Sequence, residues 1–214
     1  MPMLLAEDLL ILTIDPVGGL VGDGKHATSR DSLARALLLD LIVRGAVVLD
    51  DGDFRMVDPL PQSHRLLTEA AHALGDARLA PEKAVARLRR RMWSVRGDLL
   101  DGFERLGIVH RLSGGLFGRF GGTRYALQST QTRGERLTRL KRGYEAFSLQ
   151  DMSAVALALL AEVLGLSPYF LGPEQRLKMR SWLRKAVSPV AEDTRELATR
   201  REQLAAMLKV LPLE

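Results

Sequence analysis

The segment from Ser29 to Val57 constrains the fold more than any other. Leu33, Leu37, Leu38 and Leu41 recur at helical spacing, Ser29 or Asp31 can cap the start, and Gly45 stops the helix after Arg44. Ala46–Leu49 and Phe54–Val57 then flank Asp50-Asp51-Gly52-Asp53, a hairpin signature in which the glycine can take positive φ. Helix, glycine and hairpin return between Asp98 and Leu127, with Gly107 as the stop, a recurring motif that falls short of proving a duplication.

Most of the remaining pattern is helical. Leu4, Leu5, Leu9 and Leu12 give a first helix, which Asp15-Pro16 and Gly18-Gly19 end. Val17–Thr28, rich in Gly and turn residues, reads as an ordered loop or small hairpin. Pro59 and Pro61 end the first hairpin, and Ser63 opens a short helix to Leu74. A long basic helical region runs from Glu82 to Leu106, with a break expected near Gly97. Ile108–Leu112 and Thr123–Leu127 form a second hairpin around a Gly-rich, aromatic tip. Helices follow over Gln131–Phe147, Asp151–Leu164, Pro173–Val187 and Val190–Leu208. No linker interrupts the pattern, so residues 1–214 read as one domain: mainly α, a compact helical bundle with two small β-hairpins.

Several chemistries are excluded or unsupported. Without cysteine the chain has no disulfide, thiolate zinc site, iron–sulfur cluster or cysteine nucleophile, which fits a reducing cytoplasm. Met1–Ile14 is apolar but holds Glu7 and Asp8, and no basic residue precedes it, so it reads as a folded helix and not a signal peptide. Met152–Leu166 is shorter than the ~20 residues that span a bilayer and contains Glu162, so any membrane contact is expected to be peripheral. His26, His64, His72 and His110 are scattered without the spacing of a hydrolytic zinc site. Glu7-Asp8 and Asp50-Asp51 do not resemble an acid/base couple. Val17–Lys25 superficially resembles a phosphate-cradling loop, but His26 stands where Ser or Thr is needed. Ser113-Gly114-Gly115 lacks the flanks of a nucleophile elbow. The expectation is a protein without catalysis, metal or cofactor.

Charge offers more. The formal charge is only +5, but Lys83, Arg87, Arg89, Arg90, Arg91 and Arg96 crowd the middle helical region, interrupted by Met92 and Trp93. Such a run is either a solvated face or a surface for an anion. Two further basic stretches, Arg133–Arg142 and Arg176–Lys185, favour the second reading slightly. At the tip of the second hairpin Leu116, Phe117 and Phe120 lie among glycines beside Arg111, Arg119 and Arg124. If exposed, they form an apolar tip with a cationic collar, suited to lipid headgroups; if they fold back, they join the core.

Taken in series, Leu4–Leu10, Leu38–Gly45, Leu99–Val109 and Asp151–Leu164 resemble the Golgi phosphoprotein 3 family in order and spacing across most of the chain. The composition and short N-terminus are similar to those of bacterial members. The resemblance implies a compact helical domain with a membrane-inserting hairpin beside a pocket for phosphatidylinositol 4-phosphate, and, for eukaryotic relatives, binding of the cytosolic tails of membrane enzymes. The pocket it implies uses a tryptophan in the loop before the second helix, an arginine in that helix, and two arginines three apart on the middle helix. Here the loop offers Lys25 and His26; the helix arginine falls on Ala34, with Arg35 next to it; the pair falls on Trp93 and Arg96, so only Arg96 matches. The hairpin carries over onto roughly 112–123.

The leading expectation is a cytoplasmic, peripherally membrane-associated protein. In it Arg96, Arg89, Arg90, Lys25 and Arg35, with Trp93, form the headgroup site, while Leu116, Phe117, Arg119 and Phe120 enter the interface. One alternative is a winged-helix DNA-binding module built from Arg87–Leu127, disfavoured by the apolar hairpin tip. Another is a protein-interaction scaffold.

Overall fold

The computed structural model describes residues 3–17, 19–22, 24–57, 64–112, 124–145, 149–188 and 194–211, without the side chain of Arg184. Among them are ten α-helices: α1 (Leu5–Thr13), α2 (Gly24–Ala27), α3 (Arg30–Val43), α4 (Arg65–Leu74), α5 (Pro81–Arg91), α6 (Val95–Arg105), α7 (Thr130–Glu145), α8 (Met152–Val163), α9 (Pro173–Ala186) and α10 (Arg195–Val210). Two antiparallel two-stranded sheets complete the fold: β1 (Val47–Asp50) with β2 (Asp53–Met56), and β3 (Val109–Leu112) with β4 (Arg124–Leu127). The expected mainly helical fold with two hairpins is what the chain forms. No described helix is long and apolar enough to cross a membrane.

Helices α1, α3 and α8 are apolar on nearly every side, and accordingly nearly every side is buried. They pack against one another at the centre. Around them α4, α5 and α6 lean on α3, α7 lies on α1 and α8, α9 lies on α7, and α10 crosses α3. Gly143 sets how closely α7 approaches α8: a Cβ there would fall 2.2 Å from the Ala154 carbonyl oxygen. The amide of Gln203 on α10 donates to the carbonyls of Ile42 and Val43 at 3.1 and 3.3 Å, tying α10 to the C-terminal end of α3.

The glycine stops act through one geometry. At Gly45 (φ 72°) the Ala46 N–H donates to Leu41 O and the Gly45 N–H to Ile42 O, both at 2.9 Å. Gly107 (φ 67°) repeats it, Ile108 N–H donating to Phe103 O at 2.9 Å before β3 begins. The helix–glycine–hairpin echo is therefore the same C-terminal cap used twice to turn a helix into a strand.

Several expectations are corrected. The basic region breaks at Met92-Trp93-Ser94, not near Gly97, which lies inside α6. Met92 leaves helical geometry (φ −108°, ψ 46°) to bury its side chain, and the Ser94 hydroxyl bonds Asp98 Oδ2 at 3.0 Å across the first turn of α6. The described residues of the 17–28 segment hold the short helix α2, and an antiparallel bridge from Leu20 back to Ile14 closes the turn before it. His64 caps α4, its Nδ1 accepting from Leu66 N–H at 3.2 Å. Thr194 caps α10. Pro59, Pro61, Ser63, Phe147 and Val190, named in the expected boundaries, lie outside the described residues.

Candidate anion-binding face

The first turn of α3 and the α5–α6 corner come together. Ser29 caps α3, accepting from Ser32 N–H at 3.2 Å, and the Ser32 hydroxyl donates to His26 O at 2.8 Å, tying α2 down on the first turn. Asp31 then meets two cations. Arg35 Nε lies 2.8 Å from Asp31 Oδ2, one helical turn away, and Arg89 of α5 brings a guanidinium nitrogen to 3.7 Å from Oδ1. Arg35 also donates to the carbonyl of Val210 at the end of α10. At the corner that follows α5, Met92 is buried while Trp93 is 65% exposed, an indole held out in solvent beside Arg90, Arg91 and Arg96.

Lys25, Arg30, Arg90, Arg91 and Arg96 are exposed and form no ion pair with a described residue. That separates this face from the other two basic stretches. On α7, Arg139 binds the fully buried Asp8 and Ser153, Arg136 lies 3.4 Å from Asp8, Arg142 lies 3.7 Å from Asp151, and Arg133 stands over the Phe170 ring. On α9, Arg176 and Arg180 converge on the buried Glu162 at 3.1 and 2.8 Å, and Lys178 pairs with Glu174. Those arginines that looked like further binding surface largely neutralise the interior's own carboxylates. Burial pushes the Asp8 carboxyl up to about 6 despite its two guanidinium neighbours. Glu162, also penalised by burial, is held down at about 2 by hydrogen bonds from Arg176, Ser167 and Arg180.

Of the expected headgroup residues, Arg35 and Arg89 are brought together by Asp31, Arg90, Trp93 and Arg96 lie along the adjoining corner, and Lys25 sits on the tethered α2. Sequence reasoning missed Asp31 as a shared partner and Arg30 as a neighbour. The Asp31–Arg35 spacing of four was a visible signal, whereas the link to Arg89 depends on how α5 docks. Leu116, Phe117, Arg119 and Phe120 lie outside the described residues. The strands leading to them pair from Val109↔Leu127 to Leu112↔Arg124, and Arg111 stands 5.6 Å over the Tyr125 ring while pairing with Asp101 and Glu104.

One cleft adjoins this corner and another lies away from it. One of about 470 Å³ between α4 and the corner mixes His72 and Arg91 with Glu69 and Asp98; one of about 710 Å³ between α8 and α10 mixes Arg195 and Arg200 with Asp151 and Glu196. Neither has the one-sided charge of the corner. Among the described residues no group of His, Asp or Glu could hold a metal ion.

No curated protein matches the chain. A family model, however, matches residues 5–208, a span that includes every element from α1 to the last turns of α10. The chain belongs to the Golgi phosphoprotein 3 (GPP34) family.

Proposed function

We propose that this protein is a peripheral membrane protein whose basic corner binds the phosphates of anionic lipid headgroups, without catalysis and without a cofactor. The observation that carries the reading is the division of labour among the arginines. The α7 and α9 stretches are largely spent on internal acids, while Lys25, Arg30, Arg90, Arg91 and Arg96 keep their charge for an external partner. Guanidinium groups match phosphate geometry, and an exposed indole such as Trp93 suits the headgroup layer. Family membership supports the same reading and brings phosphatidylinositol 4-phosphate forward as one candidate headgroup, and tails of membrane enzymes as candidate partners. In the proposal the 112–123 hairpin enters the interface through Leu116, Phe117 and Phe120, and the protein works on the cytoplasmic side of a membrane.

The DNA alternative is less well supported. The corner between α5 and α6 does supply a helix–turn–helix entry, but α6, the helix that would enter a groove, presents Asp98, Asp101 and Glu104 against Arg96 and Arg105. Co-sedimentation with neutral and with anionic vesicles, beside duplex DNA at the same salt, tests the proposal. Pelleting with anionic vesicles alone is the expected result; binding to DNA and to no vesicle would reverse it. Phe117→Asp with Phe120→Asp is expected to weaken pelleting in a folded protein, and unchanged pelleting would remove the hairpin from the account.

A further inference from the structure

We infer that the tight turn from Asp15 to Leu20 is a second element that enters the lipid interface, through Val17, Leu20 and the Tyr169 ring packed beside it. The inference rests on the membrane reading and adds to it an insertion point between the basic corner and the second hairpin.

The turn is built to hold apolar side chains in solvent. Asp15 N–H donates to Gly19 O at 3.0 Å and Val21 N–H to Thr13 O at 2.9 Å, so the chain reverses within a few residues and leaves Pro16 and Val17 exposed on the reversal. Val17 is 84% exposed, Tyr169 58% and Leu20 37%. Two glycines let these side chains close on the backbone: a Cβ at Gly22 (φ 57°) would fall 2.3 Å from the Tyr169 ring, and one at Gly24 would fall 2.6 Å from Leu20 Cβ. A single exposed apolar residue means little, but here three are gathered on and beside one ordered turn.

The surroundings select the partner. On one side Leu20 abuts Gly24, the first residue of α2, which carries Lys25, and the Ser32 hydroxyl ties α2 to the start of α3, where Arg30 stands. Lys25 and Arg30 are exposed and pair with no described acid. On the other side the Leu127 N–H of β4 donates to Asp15 O at 3.4 Å, which places the turn against the root of the second hairpin. Among the described residues from 15 to 30 the one acid is Asp15, whose carboxylate accepts the Val17 N–H at 2.8 Å; Asp23 lies outside the described residues. An apolar turn with cations along one flank and a phenol at its edge fits the boundary between anionic headgroups and acyl chains.

The chain has no cysteine, so Val17→Cys takes a single nitrobenzoxadiazole label on the turn. With vesicles of phosphatidylcholine and phosphatidylglycerol the label is expected to shift to the blue and to be quenched by spin-labelled lipid; with phosphatidylcholine alone it is expected to keep its aqueous emission. Val17→Ser removes no charge and is expected to weaken partitioning onto the anionic vesicles by about threefold, with the salt dependence unchanged, because less apolar surface leaves water. Its thermal unfolding should match wild type, since Val17 is exposed. Labelled protein that pellets with the anionic vesicles while keeping its aqueous emission, or Val17→Ser that partitions as wild type does, would overturn the role of the turn and leave membrane binding intact. Wild type that pellets with neither vesicle would instead overturn the membrane reading, and the inference with it.

Discussion

At Asp40 the helical pattern of the sequence and the chemistry of the interior conflict. It lies on the buried face of α3, accepts the Leu5 N–H at 2.8 Å, and burial pushes its carboxyl up to about 8. Because this folded-state value is raised, the carboxyl stabilises the fold fully only below its unfolded value near 3.8 and loses that contribution as the pH rises to about 8. Asp40→Asn keeps an acceptor for Leu5 and does not titrate. In urea unfolding from pH 4 to 9, wild type is therefore expected to lose stability steadily relative to Asp40→Asn up to about pH 8 and then to run parallel with it. Glu162 has the opposite sign: its lowered carboxyl stabilises above about 4.5, and that contribution is lost as the pH falls to about 2. Glu162→Gln is expected to cost about 1–3 kcal/mol at neutral pH, since Tyr144, Arg176 and Arg180 all lose part of a shared acceptor. Neither role was legible in the sequence, where Glu162 served only to argue against a membrane span and Asp40 was one residue of a family-like run.

Among the elements, what the sequence revealed follows from what is local. The stripes of α3 and α8 and the stops at Gly45 and Gly107 involve residues within a turn or two of each other, and the structure repeats them closely. The α5–α6 break was misplaced because glycine is a weak helix breaker: Gly97 costs the helix about 1 kcal/mol, less than burying Met92 returns. The α7 arginines were misread for a different reason, since Asp8 lies 131 positions away from Arg139 and no local pattern announces it. Two glycines on one helix make the distinction testable. Gly134→Ala has open space at its Cβ and is expected to stabilise by up to about 1 kcal/mol through helix propensity. Gly143→Ala drives its Cβ into the Ala154 carbonyl and is expected to destabilise by about 1–3 kcal/mol or more, because backbone cannot rotate out of the way. Thermal unfolding of both variants should show opposite signs.

Seen whole, the molecule spends charge in two ways. A core of three apolar helices is surrounded by arginines, of which those on α7 and α9 neutralise Asp8, Asp151 and Glu162, while Arg30, Arg90, Arg91 and Arg96 at the α3–α5–α6 corner are exposed and form no ion pair with a described acid. The formal excess of five positive charges is modest, so a membrane role depends on this distribution more than on the total. The most direct test is vesicle partitioning of wild type beside an Arg90→Glu, Arg96→Glu double variant, two exposed changes expected to leave thermal unfolding nearly unaltered. Wild type is expected to partition onto phosphatidylglycerol vesicles in a salt-sensitive way, and the double variant to lose about tenfold or more in affinity, since each local charge near an anionic surface contributes about 1 kcal/mol. A folded double variant that binds those vesicles as well as wild type would contradict it.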